Sequence, residues 1–276
     1  MIGIHHPSPM PGFPLAFGLT MTMLSLIVLI PIGALVLAGA AIGPAEFWTL
    51  VASERVAAAL RLSFGTALAA SAFNLVFGLA LAWVLTRYRF PLRRLVDATV
   101  DLPFALPTAV AGIALTALYA PNGAFGQWLA PLGIQVAYTP LGIWVALVFI
   151  GLPFVVRTVQ PVIDELEQEV EEASATLGAG RLRTFRKVIL PTLTPALLTG
   201  FALALARSVG EYGSVIFIAG NMPLVSEIAP LLIVIKLEQF DYAGAAAIGV
   251  IMLAASFLIL LVINLVQRWS RRHEEH

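Results

Sequence analysis

The chain has 276 residues, of which 59% are hydrophobic and only 12% charged, with a mean hydropathy of +0.93. Soluble domains carry about 25% charged residues, so composition argues against a soluble globular fold. A net charge of zero argues against an extended nucleic-acid surface, and the lack of cysteine excludes disulfides and thiolate metal sites.

Charge is absent from Leu15 to Ile42, Leu62 to Thr86, Leu102 to Val156 and Tyr242 to Gln267. Crossing a hydrocarbon core of about 30 Å takes roughly 20 apolar residues. The first run has no Lys or Arg before it and is long for a signal, so it reads as a retained span. The third gap is too long for one helix and is broken by Pro121, Asn122, Gly123, Gly126, Pro131, Gly133 and Pro140. Six spans follow in chain order, at about 16–40, 61–86, 100–120, 139–160, 193–219 and 243–267. The expected fold is an all-α polytopic membrane protein.

Twelve of the 16 basic residues fall on one side of that arrangement. They are Arg87, Arg89, Arg93 and Arg94, then Arg157, Arg181, Arg183, Arg186 and Lys187, and finally Arg268, Arg271 and Arg272. Only Arg55, Arg61 and Lys236 lie opposite, and Arg207 is inside a span. The excess of Lys and Arg marks the cytoplasm, which predicts an inner-membrane protein with both termini cytoplasmic.

The longest cytoplasmic loop, 161–192, is patterned. Ile163, Leu166, Val170, Ala173 and Leu177 recur every three or four residues, a one-face helical stripe among acidic residues. Gly178-Ala179-Gly180 permits a sharp turn, and a short basic helix from Arg181 leads to Pro191 and back into the membrane. Such a unit suits docking into a partner's groove; the plainer alternative is a solvated loop that obeys the charge rule.

Glu172-Ala173-Ser174, three residues, Gly178, nine residues, Val188, one residue and Leu190-Pro191 resemble the EAA loop of bacterial ABC importer permeases. The family pattern has Ala where this chain has Ser174, and Ile where it has Val188. The resemblance implies a type I ABC importer permease fold. It also implies that Glu172, Ala173, Ser174, Gly178, Val188, Leu190 and Pro191 belong to a coupling helix that inserts into the ATPase subunit. ATP and magnesium would then be bound by that partner, with no cofactor on this chain and no catalysis by it. No phosphate-binding Gly-x-x-x-x-Gly-Lys-Ser/Thr loop occurs in the sequence, consistent with that division.

Further segments narrow the branch. Asp101 to Gly112, Gly151 to Arg157 and Gly210-Glu211-Tyr212-Gly213 look like sulfate and molybdate permeases. Phe217 to Pro223, Glu227 to Glu238 and Phe240 to Ala245 resemble the CysT (CysU) type of sulfate/thiosulfate permease. The implied partners are an ATPase homodimer, a second permease of the CysW type and a periplasmic sulfate- or thiosulfate-binding protein, all around a lipid bilayer. The resemblance covers roughly 60–268 as a permease core, after an N-terminal tail, span and loop at 1–59 and before a tail at 269–276. A molybdate permease, a secondary transporter and a passive scaffold are the alternatives. A secondary transporter would leave the patterned loop unexplained.

Arg207 and Glu211 are the strong charges within a span, four residues apart and able to pair. A charge at mid-membrane costs about 2.5–3.5 kcal/mol, so such residues face a bundle interior or a watery path. They line the anion pathway, or they are a self-neutralising pair that fixes packing. Pro31, Pro103, Pro107 and Pro153 shape the bundle or serve as hinges. Gly65, Gly78, Gly112, Gly200 and Gly249 are expected at close helix approaches, and Asn74 and Asn264 as hydrogen bonders between helices. The four histidines, His5, His6, His273 and His276, lie in the tails, so a metal site is not expected.

Overall fold

The computed structural model describes residues 12–272, which are mostly helical with no strand among them. In chain order the helices begin with α1 (Phe13–Ala40), α2 (Pro44–Val51), α3 (Glu54–Arg87), α4 (Arg93–Val100), α5 (Leu102–Ala105), α6 (Thr108–Tyr119) and α7 (Gly126–Leu129). They continue with α8 (Pro140–Glu165), α9 (Gln168–Thr176), α10 (Arg181–Val209), α11 (Val215–Ile218), α12 (Ala229–Glu238) and α13 (Tyr242–Arg272). His5, His6, His273 and His276 lie outside the described residues.

Five helices are long and apolar enough to cross a membrane: α1, α3, α8, α10 and α13. The expected third span, 100–120, is not a single helix. It breaks at Asp101 and again at Leu106-Pro107, leaving α6 with 12 residues, about 18 Å. Proline is the cause. It cannot donate to a preceding turn and it forces the residue before it out of the helical region, and Leu106 is accordingly extended at ψ 135°. Pro107 therefore ends α5, while Pro103 sits in the first turn of α5, just after the break at Asp101. Pro31 and Pro191 are absorbed differently: each follows a wide π turn, at Ser25–Leu29 and Phe185–Ile189, that loosens the backbone before the ring.

The bundle is built around α3, α8 and α10, which pack most extensively on one another. The inward face of α3 is Ala59, Ser63, Ala67, Ala70, Ser71, Asn74, Gly78, Ala82 and Leu85, small residues at helical spacing. Apolar burial drives helices together weakly in lipid, so close van der Waals packing of small residues does more of the work. Val155 of α8 sits between two glycines. An added Cβ at Gly78 would lie 2.9 Å from Val155 Cγ1, and at Gly200 2.9 Å from Val155 Cα. Gly112 is equally tight, against Ser214, but Gly65 meets nothing within 4 Å. A Cβ on Gly249 would lie 3.3 Å from Leu35 Cδ1 of α1. Asn74 is fully buried and donates to the Val148 carbonyl of α8 at 3.1 Å, whereas Asn264 faces outward.

Candidate coupling and pathway sites

At the arginine-rich end of the bundle, α8 stops at Glu165 and the chain runs extended through Leu166 and Glu167 before α9. The expected stripe is thus divided. Ile163 is buried in the bundle, but Val170, Ala173 and Leu177 point outward on α9, with Leu177 88% exposed. An apolar face turned away from its own fold is a face without a partner in this chain.

The C-terminus of α9 explains Gly178. Its φ is +81°, the left-handed region that costs an L side chain about 1–2 kcal/mol. The Gly178 N–H donates to Ala175 O at 2.9 Å and the Ala179 N–H to Ser174 O at 3.1 Å, a Schellman closure of the helix. Ser174 and Thr184 share a hydroxyl hydrogen bond of 2.9 Å, which ties α9 to the start of α10. The family pattern's Ala could not make that bond. Glu172 and Ala173 are exposed on α9, while Val188, Leu190 and Pro191 belong to the first turns of α10. The basic stretch and the membrane re-entry are therefore one continuous helix rather than a short helix followed by a separate span.

A residue the sequence reading did not single out bridges α3 and α9. Arg87, the last residue of α3, donates to Leu166 O at 2.9 Å and pairs with Glu171 of α9 at 3.1 Å. Its guanidinium also lies 5.5 Å from the centre of the Trp83 ring.

Deeper in the bundle, α10 ends at Val209, so Glu211 is not on the helix that carries Arg207. The two still pair, Arg207 Nη1 to Glu211 Oε2 at 2.5 Å. Glu211 Oε1 also accepts from the Ser214 N–H at 2.8 Å and the Ser214 hydroxyl at 3.0 Å. The carboxylate is 2% exposed and fully engaged, whereas the Arg207 side chain is 34% exposed. The unwound 210–214 stretch lies against the α6 break: a Cβ on Gly213 would collide with Thr108 Oγ1, and one on Gly112 with Ser214 O. Two of the segments that carry the family resemblance thus meet in one place.

Two more ion-pair sites were not anticipated from the sequence. Arg157 of α8 binds both Asp101 carboxylate oxygens, at 2.8 and 2.7 Å, and Asp97 Oδ1 at 2.6 Å. Partial burial pushes the Asp97 carboxyl up, but hydrogen bonds from Arg157 and Gln160 outweigh it and leave it below the usual carboxylate range. At the opposite end Arg55 grips Glu227 with two bonds, at 2.8 and 2.7 Å, and the Glu227 side chain is 1% exposed. The helical spacing of Asp97 and Asp101 was a usable hint for the first; nothing local points to the second, whose partners are 172 residues apart.

Residues 74–275 match the family described as binding-protein-dependent transport system inner membrane component. The chain belongs to this family. The permease is 51% identical, over all of both chains, to the sulfate transport system permease protein CysT of Salmonella typhimurium. It is 50% identical over 92% of its length to the protein of that name from Synechocystis, covering 89% of the latter. Among solved structures it resembles a bacterial alginate ABC transporter chain (TM-score 0.76, 18% identity, 93% of this chain and 94% of that one). It also resembles a chain of the MetNI methionine ABC transporter (TM-score 0.59, 18% identity, 77% and 94%). The permease has the type I ABC importer fold, and its relatives are transport subunits rather than enzymes.

Proposed function

We propose that the permease forms half of the translocation pathway of an ATP-driven importer for sulfate or thiosulfate, and that α9 is its coupling helix. The observation that carries the coupling reading is the outward apolar face of Val170, Ala173 and Leu177 on a helix closed by Gly178. The substrate rests on similarity over the full chain to sulfate permeases. The clustering of arginine at the α9 end supports a cytoplasmic position for that end and for both termini. ATP and magnesium then belong to an ATPase homodimer. A CysW-type chain supplies the other half of the pathway, and a periplasmic binding protein delivers the anion. Residues 60–268 constitute the permease core, after an N-terminal tail, first span and periplasmic loop at 1–59 and before a cytoplasmic tail at 269–276.

Closure of the ATPase pair on ATP moves α9, and the bundle alternates the exposure of the cavity. Glu171, Ser174 and Gly178 fix how α9 sits, whereas Glu172, Ala173 and Leu177 meet the partner. In the pathway, Glu211 acts as an anchor that holds the 210–214 stretch, and half-exposed Arg207 offers its charge to the passing anion. Neutralisation by Glu211 keeps that charge from trapping the anion.

Labelled sulfate uptake by a strain lacking this chain tests the reading, with wild type or Gly178→Asp supplied. Wild type restores uptake; Gly178→Asp inserts but loses the ATPase subunit, and uptake falls to background. Normal uptake by the variant would refute the docking role of α9. If wild type restores molybdate rather than sulfate uptake, the substrate assignment falls and the fold stands.

Arg207→Gln separates pathway from packing. We expect a normally assembled complex with uptake reduced about tenfold, the equivalent of roughly 1.4 kcal/mol in the barrier. Loss of assembly, measured by copurification of the partner subunits, would instead make Arg207 a packing residue.

A further inference from the structure

A groove of about 990 Å³ separates the end of α3 from the α9 and α10 segments. Leu79, Trp83 and Tyr88 form one wall, and Glu171, Ala175 and Phe185 the other. The coupling helix therefore stands off from α3. It is joined covalently to α8 through 166–167 and to α10 through 177–180, and Ser174–Thr184 reinforces the α10 side. No covalent link reaches α3, the helix that packs most extensively on α8. Across the groove the polar connection is Arg87, which holds Glu171 on α9 and the Leu166 carbonyl at the α8–α9 junction. Trp83, one turn back, carries the Arg87 guanidinium on its face and meets the Phe185 ring edge-on, with centroids 6.3 Å apart.

The side chain is placed for transmission rather than surface solubility. Arg87 is 17% exposed and its charge is partly desolvated; one amino group donates to the Leu166 carbonyl and lies 3.1 Å from Glu171 Oε1, which is buried and accepts no hydrogen bond among the described residues. Its Nε is buried with no partner among the described residues. A planar guanidinium can grip a carboxylate with two parallel bonds, so a small shift of α9 would bring that free N–H onto Glu171. We propose that Arg87 is a strut that carries the movement of α9 into α3, a positioning residue for ATP coupling. The proposal rests on the coupling reading of α9 given above.

The test uses the whole importer reconstituted in liposomes, with its ATPase subunits, second permease and binding protein. ATPase retention, ATP hydrolysis and sulfate import are measured together. Arg87→Ala is expected to retain the ATPase and keep hydrolysis within about twofold while import falls about tenfold, so that ATP consumed per anion rises. Arg87→Lys keeps the charge and a donor but not the planar fork, and is expected to restore import only in part. Glu171→Gln, which keeps the Leu166 contact, falls between. Parallel loss of hydrolysis and import, loss of the ATPase, or an unchanged ratio would each overturn the strut. If Arg87→Ala fails to insert, the ratio in Arg87→Lys and Glu171→Gln decides: a ratio equal to wild type in both overturns it. Leu177→Glu, on the outer face of α9, separates the two ideas. If it releases the ATPase while Arg87→Ala couples normally, only the strut fails; if it changes nothing, the coupling reading fails and the strut with it.

Discussion

Arg55→Ala is expected to lower the stability of the inserted permease by about 3 kcal/mol, because it leaves the Glu227 carboxylate buried without its cation. The two bonds from Arg55 are the only hydrogen bonds to that carboxylate among the described residues. They join the first turn of α3 to the loop ahead of α12, where the Ala229 N–H also donates to Ser63 at 2.8 Å. Breaking a buried pair by removing one partner costs about 3–5 kcal/mol. The low end applies because the Arg55 side chain is 44% exposed and already partly hydrated. Removing both charges, as in Arg55→Met with Glu227→Leu, avoids the orphaned carboxylate and is expected to cost much less. Thermal unfolding of the purified complex in detergent, with the amount recovered from membranes, checks this. Equal losses for the single and double replacements would show that the pair matters by its shape and not its charge.

Gly200→Val is the second large effect. The first atom of the new side chain would lie 2.9 Å from Val155 Cα and 3.4 Å from the Phe154 carbonyl oxygen. Backbone cannot rotate away as a side-chain tip can, so α10 must move off α8. Overpacking of this kind costs about 1–3 kcal/mol, sometimes more. The contact is central: Val155 and Val156 are completely buried between helices that also carry Arg207 and the joints to α9. Gly200→Ala should show a smaller version of the same loss. Gly65→Ala, where nothing lies within 4 Å, should stay within about 0.5 kcal/mol of wild type. Melting temperatures of the three complexes provide the comparison, and a Gly200→Val complex as stable as the Gly65→Ala one would disprove the close-packing account.

Both effects come from contacts between distant parts of the chain, and they mark where sequence reading reached its limit. The crossing helices were legible because a run of apolar residues long enough to span lipid is a local property. Five of the six expected spans correspond to long apolar helices, although the fifth ends at Val209 rather than near 219. The remaining one, 100–120, was drawn as one rod because hydropathy does not register what Pro103 and Pro107 do to the backbone. The helix and turn within 161–192 were legible by their spacing, and Gly178 at φ +81° gives the turn its physical basis. The spacing was silent on Leu166–Glu167, where the chain is extended, so it joined residues that belong to two helices.

Composition, the lengths of the uncharged runs and the side on which arginines gather are additive along the chain. They suffice to identify a helical membrane protein and to locate its longest arginine-flanked loop. Which charges meet is not additive. Arg55 with Glu227, Arg157 with Asp97 and Asp101, and Arg87 with Glu171 each require helices to be brought side by side. Those pairings arise in the folded bundle, because each charge takes the partner that the packing of its own helix leaves within about 3 Å.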